Sequence, residues 1–123
     1  MKKLFAAAML VLPLAFAATA QASDAAKGQK VFAKCKACHE TSTDKNKVGP
    51  TLKGIIGRTS GTVPGFAYSD AMKSANIVWG EDTLKTYLAD PKKVVPGTKM
   101  SFAGLKKEDE IEDVIAFLEE AAK

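Results

Sequence analysis

The chain has 123 residues and a formal net charge of +4 at pH 7, and 46% of its residues are hydrophobic. This length predicts one domain with a small core. The two cysteines are separated by two residues, so a disulfide between them would close a very small loop and would stabilise a whole domain poorly. Nucleic-acid binding is disfavoured because the net charge is small.

The first 22 residues predict a cleaved signal peptide. Lys2 and Lys3 precede an apolar run, and residues 20–22 (Ala-Gln-Ala) place small side chains at a cleavage position. A membrane anchor is disfavoured because the run is shorter than the about 20 residues of a spanning helix. We therefore expect the mature protein to start near Ser23, to lie in the periplasm and to form one domain over residues 23–123.

The first helix is predicted to follow a start signal at residues 23–24. Gly28, Val31, Phe32 and Cys35 are spaced i, i+3, i+4 and i+7, which places them on one helical face. The C-terminal end of this helix therefore leads directly into the two cysteines.

Residues 41–69 show no sustained hydrophobic period and contain five of the nine glycines. A loop of this length without secondary structure is unusual in a compact domain. A disordered linker is disfavoured because linkers rarely carry so many side chains suited to a core. These side chains are Leu52, Ile55, Ile56, Val63, Phe66 and Tyr68. We expect the loop to wrap around a group that is not protein.

Three helical patterns follow this loop. Residues 69–76 predict a short helix capped by Ser69, and residues 81–91 predict a helix that Pro91 closes. Residues 106–123 have the clearest helical period, and acidic residues crowd the start of this segment, which suits the helix dipole. The intervening segment is expected to be irregular. Because no β alternation is found, the predicted class is all-α, with several short helices and long loops.

Residues 35–39 form the sequence Cys-Lys-Ala-Cys-His, a C-x-x-C-H motif typical of covalent attachment of a c-type haem. Two intervening residues let both thiols reach the two vinyl groups of one porphyrin, and the next residue presents an imidazole to the iron. A redox dithiol is disfavoured because no βαβ pattern is present. Structural zinc is disfavoured because four ligands are needed and no further Cys or His exists. Cys35 and Cys38 are thus predicted to hold haem c, with His39 as an iron ligand.

The second axial ligand cannot be a histidine, since His39 is the only one in the chain. Lysine is charged near neutral pH, which disfavours it. Two of the four methionines belong to the predicted signal peptide. Met72 has the spacing of a core residue within a short helix, whereas Met100 lies in an irregular loop that contains Pro96 and Gly97. We expect Met100 to bind the iron, because a His/Met pair is the usual arrangement of an electron carrier.

With these residues, the chain resembles a class I cytochrome c, and the resemblance covers nearly all of residues 24–123. The segments that carry it, in order, are GQKVFAKCKACH, VGPTLKGIIGR, GFAYSDA, WGEDTLKTYLADPKKVVPGTKM, FAGLKK and DVIAFL. The resemblance implies a cytochrome c fold, in which short helices and long loops surround one covalently bound haem. It also implies that the first and last helices cross, with Gly28 allowing a close approach.

The resemblance further implies roles for individual residues around the haem. The carbonyl of Pro50 would accept a hydrogen bond from the axial imidazole, and the hydroxyl of Tyr87 would lie near the methionine sulfur. Phe102 would cover the haem edge. Met72 departs from the family pattern, since close relatives usually carry asparagine there. Residues that would bind or neutralise the haem propionates are Arg58, Tyr68, Ser69, Trp79 and Thr98.

With both axial positions filled, the predicted function is a soluble single-electron carrier and not an enzyme. The rival hypothesis is a haem peroxidase or ligand sensor, which requires an open distal position. Residues 85–107 contain six lysines and one acid, whereas residues 108–120 contain seven acids and no base. This polarity predicts transient docking of a monomer to acidic partners. The resemblance implies a quinol–cytochrome c oxidoreductase as electron donor and a terminal oxidase or photosynthetic reaction centre as acceptor.

Overall fold

The computed structural model describes residues 8–15 and 23–123. The predicted signal peptide therefore falls largely on residues 1–7 and 16–22, outside the described residues. Within the described ranges, no helix has the length and apolar character needed to cross a membrane. The elements are α1 (Ala25–Phe32), α2 (Asp70–Ser74), α3 (Glu81–Ala89), α4 (Pro91–Val94) and α5 (Glu108–Ala121).

Pairing between extended segments is limited, in the part of the chain that the structure describes, to one isolated antiparallel bridge between Thr59 and Val78. The predicted all-α class is confirmed. Helices this short are marginal in isolation, so their stability has to come from packing against one another and against the long loop.

Helix α1 begins where the sequence predicts. The side chain of Asp24 accepts hydrogen bonds from the backbone N–H groups of Ala26 and Lys27, which satisfies two donors at the helix start. The helix ends at Phe32, and Cys35 lies in the turn that follows. The N–H of Cys35 donates to the carbonyl of Phe32 over 2.8 Å, so the turn continues the helix closely. Helix α1 therefore leads into the cysteines as expected, but the prediction that Cys35 itself lies on the helical face is wrong.

Helices α1 and α5 cross at Gly28, as expected. A Cβ at Gly28 would overlap the backbone carbonyl of Asp113 and would lie 2.9 Å from the Cβ of Phe117. The rings of Phe32 and Phe117 pack with their centroids 5.1 Å apart beside this contact. The backbone N–H of Asp24 also donates to Asp113 Oδ1 over 2.8 Å. The two ends of the domain are thus joined by a packed crossing and a hydrogen bond.

The central helices differ from the sequence prediction at one place. Ser69 caps α2 as expected, since its Oγ accepts from the N–H of Met72. Pro91, however, does more than end α3, because it is the first residue of α4. Proline is favoured at this position, and the side chain of Asp90 accepts from the N–H of Lys93. The segment expected to be irregular therefore begins with one helical turn.

The long loop supplies part of the core. Ile55 and Val63 are buried, whereas Ile56 remains 42% exposed. The loop is paired with the segment before α3, since the N–H of Ser60 donates to the carbonyl of Ile77 and the N–H of Trp79 donates to that of Arg58. The core then runs from Ile55 and Trp79 to the buried face of α5. On α5 that face consists of Ile111, Val114, Ile115 and Leu118.

Candidate functional site

The site begins at the turn that carries both cysteines. The N–H groups of Cys38 and His39 both donate to the carbonyl of Cys35, over 3.0 Å each, so the five-residue motif is a compact turn. Both thiols are free and partly buried. Burial raises the pKa of the Cys35 thiol, with Lys34 acting in the opposite direction. Two thiols and one imidazole are therefore presented by a single short segment.

The imidazole of His39 is held from one side. Its Nδ1 lies 2.8 Å from the carbonyl oxygen of Pro50, and because a carbonyl only accepts, Nδ1 carries the proton. A Cβ at Gly49 would lie 2.8 Å from this Nδ1, so only glycine leaves room for the ring. Burial lowers the pKa of His39, which favours the neutral imidazole. The lone pair of Nε2 is consequently available to a metal.

Met100 reaches the site from the loop after α4. Gly97 adopts φ 91°, a conformation that favours glycine, and turns the chain ahead of the methionine. The N–H of Met100 donates to Thr98 Oγ1 over 3.2 Å, and the hydroxyl of Tyr87 lies 3.8 Å from Met100 Sδ. Burial raises the pKa of Tyr87, so the phenol stays protonated and can donate to the sulfur. The thioether is thus positioned by Tyr87 of α3 and by Thr98 of its own loop.

Other residues singled out from the sequence lie nearby in the fold. Trp79 is buried, and its ring centroid is 4.8 Å from that of Tyr87. The guanidinium of Arg58 donates to the carbonyl of Thr51 over 2.8 Å and to that of Lys53 over 3.0 Å. The hydroxyl of Tyr68 accepts from the N–H of Val63. These bonds fix Arg58 and Tyr68 to the long loop.

Sequence reasoning missed Asn46. Its Oδ1 accepts from the N–H of Thr51 over 3.0 Å, and its Nδ2 donates to the carbonyl of Pro64 over 3.1 Å. The side chain therefore ties the segment that holds His39 to the next part of the loop. An isolated asparagine in a loop is common in turns, so nothing in the sequence pointed to this bridge.

The side chains that could attach and ligate a haem show whether a covalent haem fits this site. The chain offers two free thiols separated by two residues, a neutral imidazole with Nε2 available and a thioether held from another segment. Partly buried apolar side chains pack against the same core, among them Leu52, Met72 and Phe102. These groups are the ones that attach and ligate a c-type haem, so the residues fit it.

The comparisons define the class of the protein. A family model described as Cytochrome c matches residues 25–122. The chain belongs to the cytochrome c family.

Two relatives are named cytochrome c2. That of Blastochloris viridis is 51% identical over 84% of this chain and 82% of its own length. That of Rhodomicrobium vannielii is 50% identical over 90% of each chain. Among solved structures, cytochrome cH from Methylobacterium extorquens has a TM-score of 0.75 and 51% identity, covering 79% of this chain and 98% of its own. The protein is accordingly an electron carrier with one covalently bound haem c, as the sequence predicted.

Proposed function

We propose that the protein carries single electrons through a haem whose axial ligands are His39 and Met100. The observation that carries this proposal is the contact between the hydroxyl of Tyr87 and Met100 Sδ, at 3.8 Å. A thioether used only to fill the core would need no polar partner. On the other side, the bond from His39 Nδ1 to Pro50 leaves Nε2 as the ligating atom.

Filling both axial positions has a chemical consequence. No coordination position remains for oxygen or substrate, so this chain's residues support electron transfer and not catalysis. The soft thioether favours the ferrous state, and the haem supplies the one-electron couple when it is bound. The rival function, a peroxidase or ligand sensor, would require Met100 to stay away from the iron.

The visible spectrum of the oxidised protein tests the ligand assignment. We expect a methionine–iron charge-transfer band, and we expect the variant Met100→Ala to lose this band, to bind small ligands and to have a lower potential. Met72→Ala is the matched control, because it removes the other thioether of the domain and should keep the band. A high-spin five-coordinate spectrum of the unaltered protein would refute the proposal.

The remaining haem contacts follow the same reasoning. We propose that Arg58, Tyr68, Ser69, Trp79 and Thr98 bind or neutralise the propionates, that Pro50 orients His39, and that Cys35 and Cys38 form the thioether links. In support, Arg58 and Tyr68 are held on one loop, and Trp79 lies beside Tyr87. Individual Arg58→Gln and Trp79→Phe variants should retain haem but change its reduction potential, which equilibrium redox titration measures.

The docking face is proposed to consist of Lys92, Lys93 and Lys99. All three are exposed, and no carboxylate among the described residues lies within 4.0 Å of their ammonium groups. Lys85 belongs to the same run of sequence but pairs with Glu112 over 3.2 Å, so it is not part of the face. Respiratory or photosynthetic complexes are the partner class. We propose a quinol–cytochrome c oxidoreductase as donor and a terminal oxidase or reaction centre as acceptor, each binding a monomer.

A periplasmic location and cleavage after Ala22 complete the proposal. Residues 1–22 have the charge and length pattern of a signal peptide, and their two lysines are their only charges, so cleavage lowers the net charge from +4 to +2. Mass spectrometry of the purified holoprotein should give a chain that starts at Ser23. An intact Met1 would contradict this.

A further inference from the structure

A cavity lies between α3, α5 and the start of the domain. It has a volume of about 290 Å³ and is lined by residues from all three segments. These are Ser23, Glu81, Lys85, Glu112, Ile115, Ala116 and Glu119. None of the residues assigned to the haem lines this cavity.

The charges in this cavity are unbalanced. Glu81 and Lys85 come from α3, and Glu112 and Glu119 come from α5, so three carboxylates face one ammonium group. That ammonium is already engaged, since Lys85 Nζ lies 3.2 Å from Glu112 Oε1. Glu81 and Glu119 form no ion pair within 4.0 Å among the described residues, although Lys85 is close enough to Glu81 for their charges to attract each other.

The chain itself brings a further group to the cavity. Ser23 is one of the lining residues, and the next residue is fixed, because the N–H of Asp24 donates to Asp113 Oδ1 over 2.8 Å. The side chain of Asp24 is engaged as the cap of α1. The peptide group that joins Ser23 to Asp24 is therefore anchored on α5, and the amino side of Ser23 is where the proposed cleavage occurs.

We propose that this cavity is the binding site for the α-ammonium group that cleavage after Ala22 creates at Ser23, with Glu81 and Glu119 as its carboxylate partners. The inference rests on the proposed processing site. Cleavage converts a neutral peptide nitrogen into a cation beside a cavity that Glu81 and Glu119 also line. The ion pair holds the first residue against α3 and α5 and adds a link between the two ends of the domain.

The volume of the cavity suits this occupant. A water molecule takes about 30 Å³ of liquid volume, so the cavity accommodates an ammonium group together with several waters. An exposed pair of this kind interacts weakly, and the expected signature is a change in the titration of the amino group. The charged groups near the Ser23 amino group come from α3, α5 and the next residue of the chain. They are Glu81 and Lys85 of α3, Glu112, Asp113 and Glu119 of α5, and Asp24.

The test is a pH titration of the Ser23 amino group in the reduced holoprotein, expressed with its own leader and followed by the ¹³C chemical shifts of Ser23. A free terminal amine titrates near pH 7.7–8.0. We expect a pKa about half a unit to one unit higher in the mature protein. The Glu119→Gln and Glu81→Gln variants should each lower this pKa by about 0.3 unit or more.

Glu120→Gln is the matched control, because it removes the same charge from the neighbouring, exposed position of α5 and should leave the pKa within about 0.1 unit. One extra alanine before Ser23 displaces the amino group by up to about 3.8 Å and should restore an ordinary pKa. An unshifted pKa, or equal effects of Glu119→Gln and Glu120→Gln, overturns the assignment.

The outcomes separate this inference from the proposals on which it depends. A mature mass that does not start at Ser23 overturns the processing site and the assignment together. A start at Ser23 with an ordinary amine pKa overturns the assignment alone. The visible spectrum of the same samples tests the axial ligands independently, and the cavity variants should leave it unchanged.

Discussion

The hydroxyl of Tyr87 and the sulfur of Met100 lie 3.8 Å apart. Tyr87 belongs to α3, and Met100 lies in the loop that follows α4. Tyr87 is buried on α3, where its ring packs against Trp79, so its position is fixed by the core. Met100 belongs to a loop whose conformation depends on Gly97 and Thr98. The hydrogen-bond donor, the Tyr87 hydroxyl, is therefore held by the core, whereas its acceptor, the Met100 sulfur, lies in a loop.

We predict that Tyr87→Phe lowers the reduction potential. A hydrogen bond to the thioether withdraws electron density from the sulfur and favours the ferrous state, so its loss favours the ferric state. One net hydrogen bond of about 0.5–1.5 kcal/mol corresponds to about 20–60 mV for a one-electron couple. Redox titration measures the change. The Tyr87→Phe variant should retain the methionine–iron band, which separates loss of the hydrogen bond from loss of the ligand. A Tyr87→Phe potential equal to that of the unaltered protein would count against the hydrogen bond.

Replacement of Gly28 by alanine should destabilise the protein. The added Cβ would overlap the carbonyl of Asp113, so the two terminal helices would have to separate. We expect a loss of about 2–4 kcal/mol in the free energy of unfolding, measured by denaturant titration of the holoprotein. Gly80→Ala is the control, because a Cβ there meets no atom within 4 Å, and it should lose less than about 1 kcal/mol.

Removal of both thiols should abolish holoprotein. In the Cys35→Ala, Cys38→Ala double variant, the haem has no covalent attachment, and the short helices lose the group around which they pack. Absorbance and circular dichroism of the purified variant should show neither haem nor a folded domain. A stable, haem-free helical protein would disprove the dependence of the fold on haem.

Charge removal on the docking face should slow association with redox partners. Lys92→Gln with Lys93→Gln removes two exposed charges on α4, and we expect a lower association rate and a weaker dependence on salt. Lys45→Gln with Lys123→Gln removes two exposed charges elsewhere and serves as the matched control. Stopped-flow kinetics at several ionic strengths measure both. Identical salt dependence in the two double variants would exclude a localised docking face.

The strongest sequence signals concerned residues that are close along the chain. The C-x-x-C-H motif and the periodic helices α1 and α5 were predicted because local spacing determines them. The helical turn at Pro91 was missed, since proline was interpreted as a stop although it is equally suited to a first helical position. Asn46 was missed because its two hydrogen bonds depend on how separate loop segments meet. The charge of Lys85 was counted toward docking, and only the structure shows its pairing with Glu112.

The bond between Asp24 and Asp113 joins residues 89 positions apart, and it has a consequence for how the chain matures. Because a protein is synthesised from its N-terminus, α1 and the cysteines are made long before α5 is available to cover α1. A contact of such large sequence separation carries a loop-closure entropy cost and cannot form before the C-terminal residues have been made. Helix α1, which leads into the cysteines, therefore remains uncovered until nearly the whole chain has been synthesised.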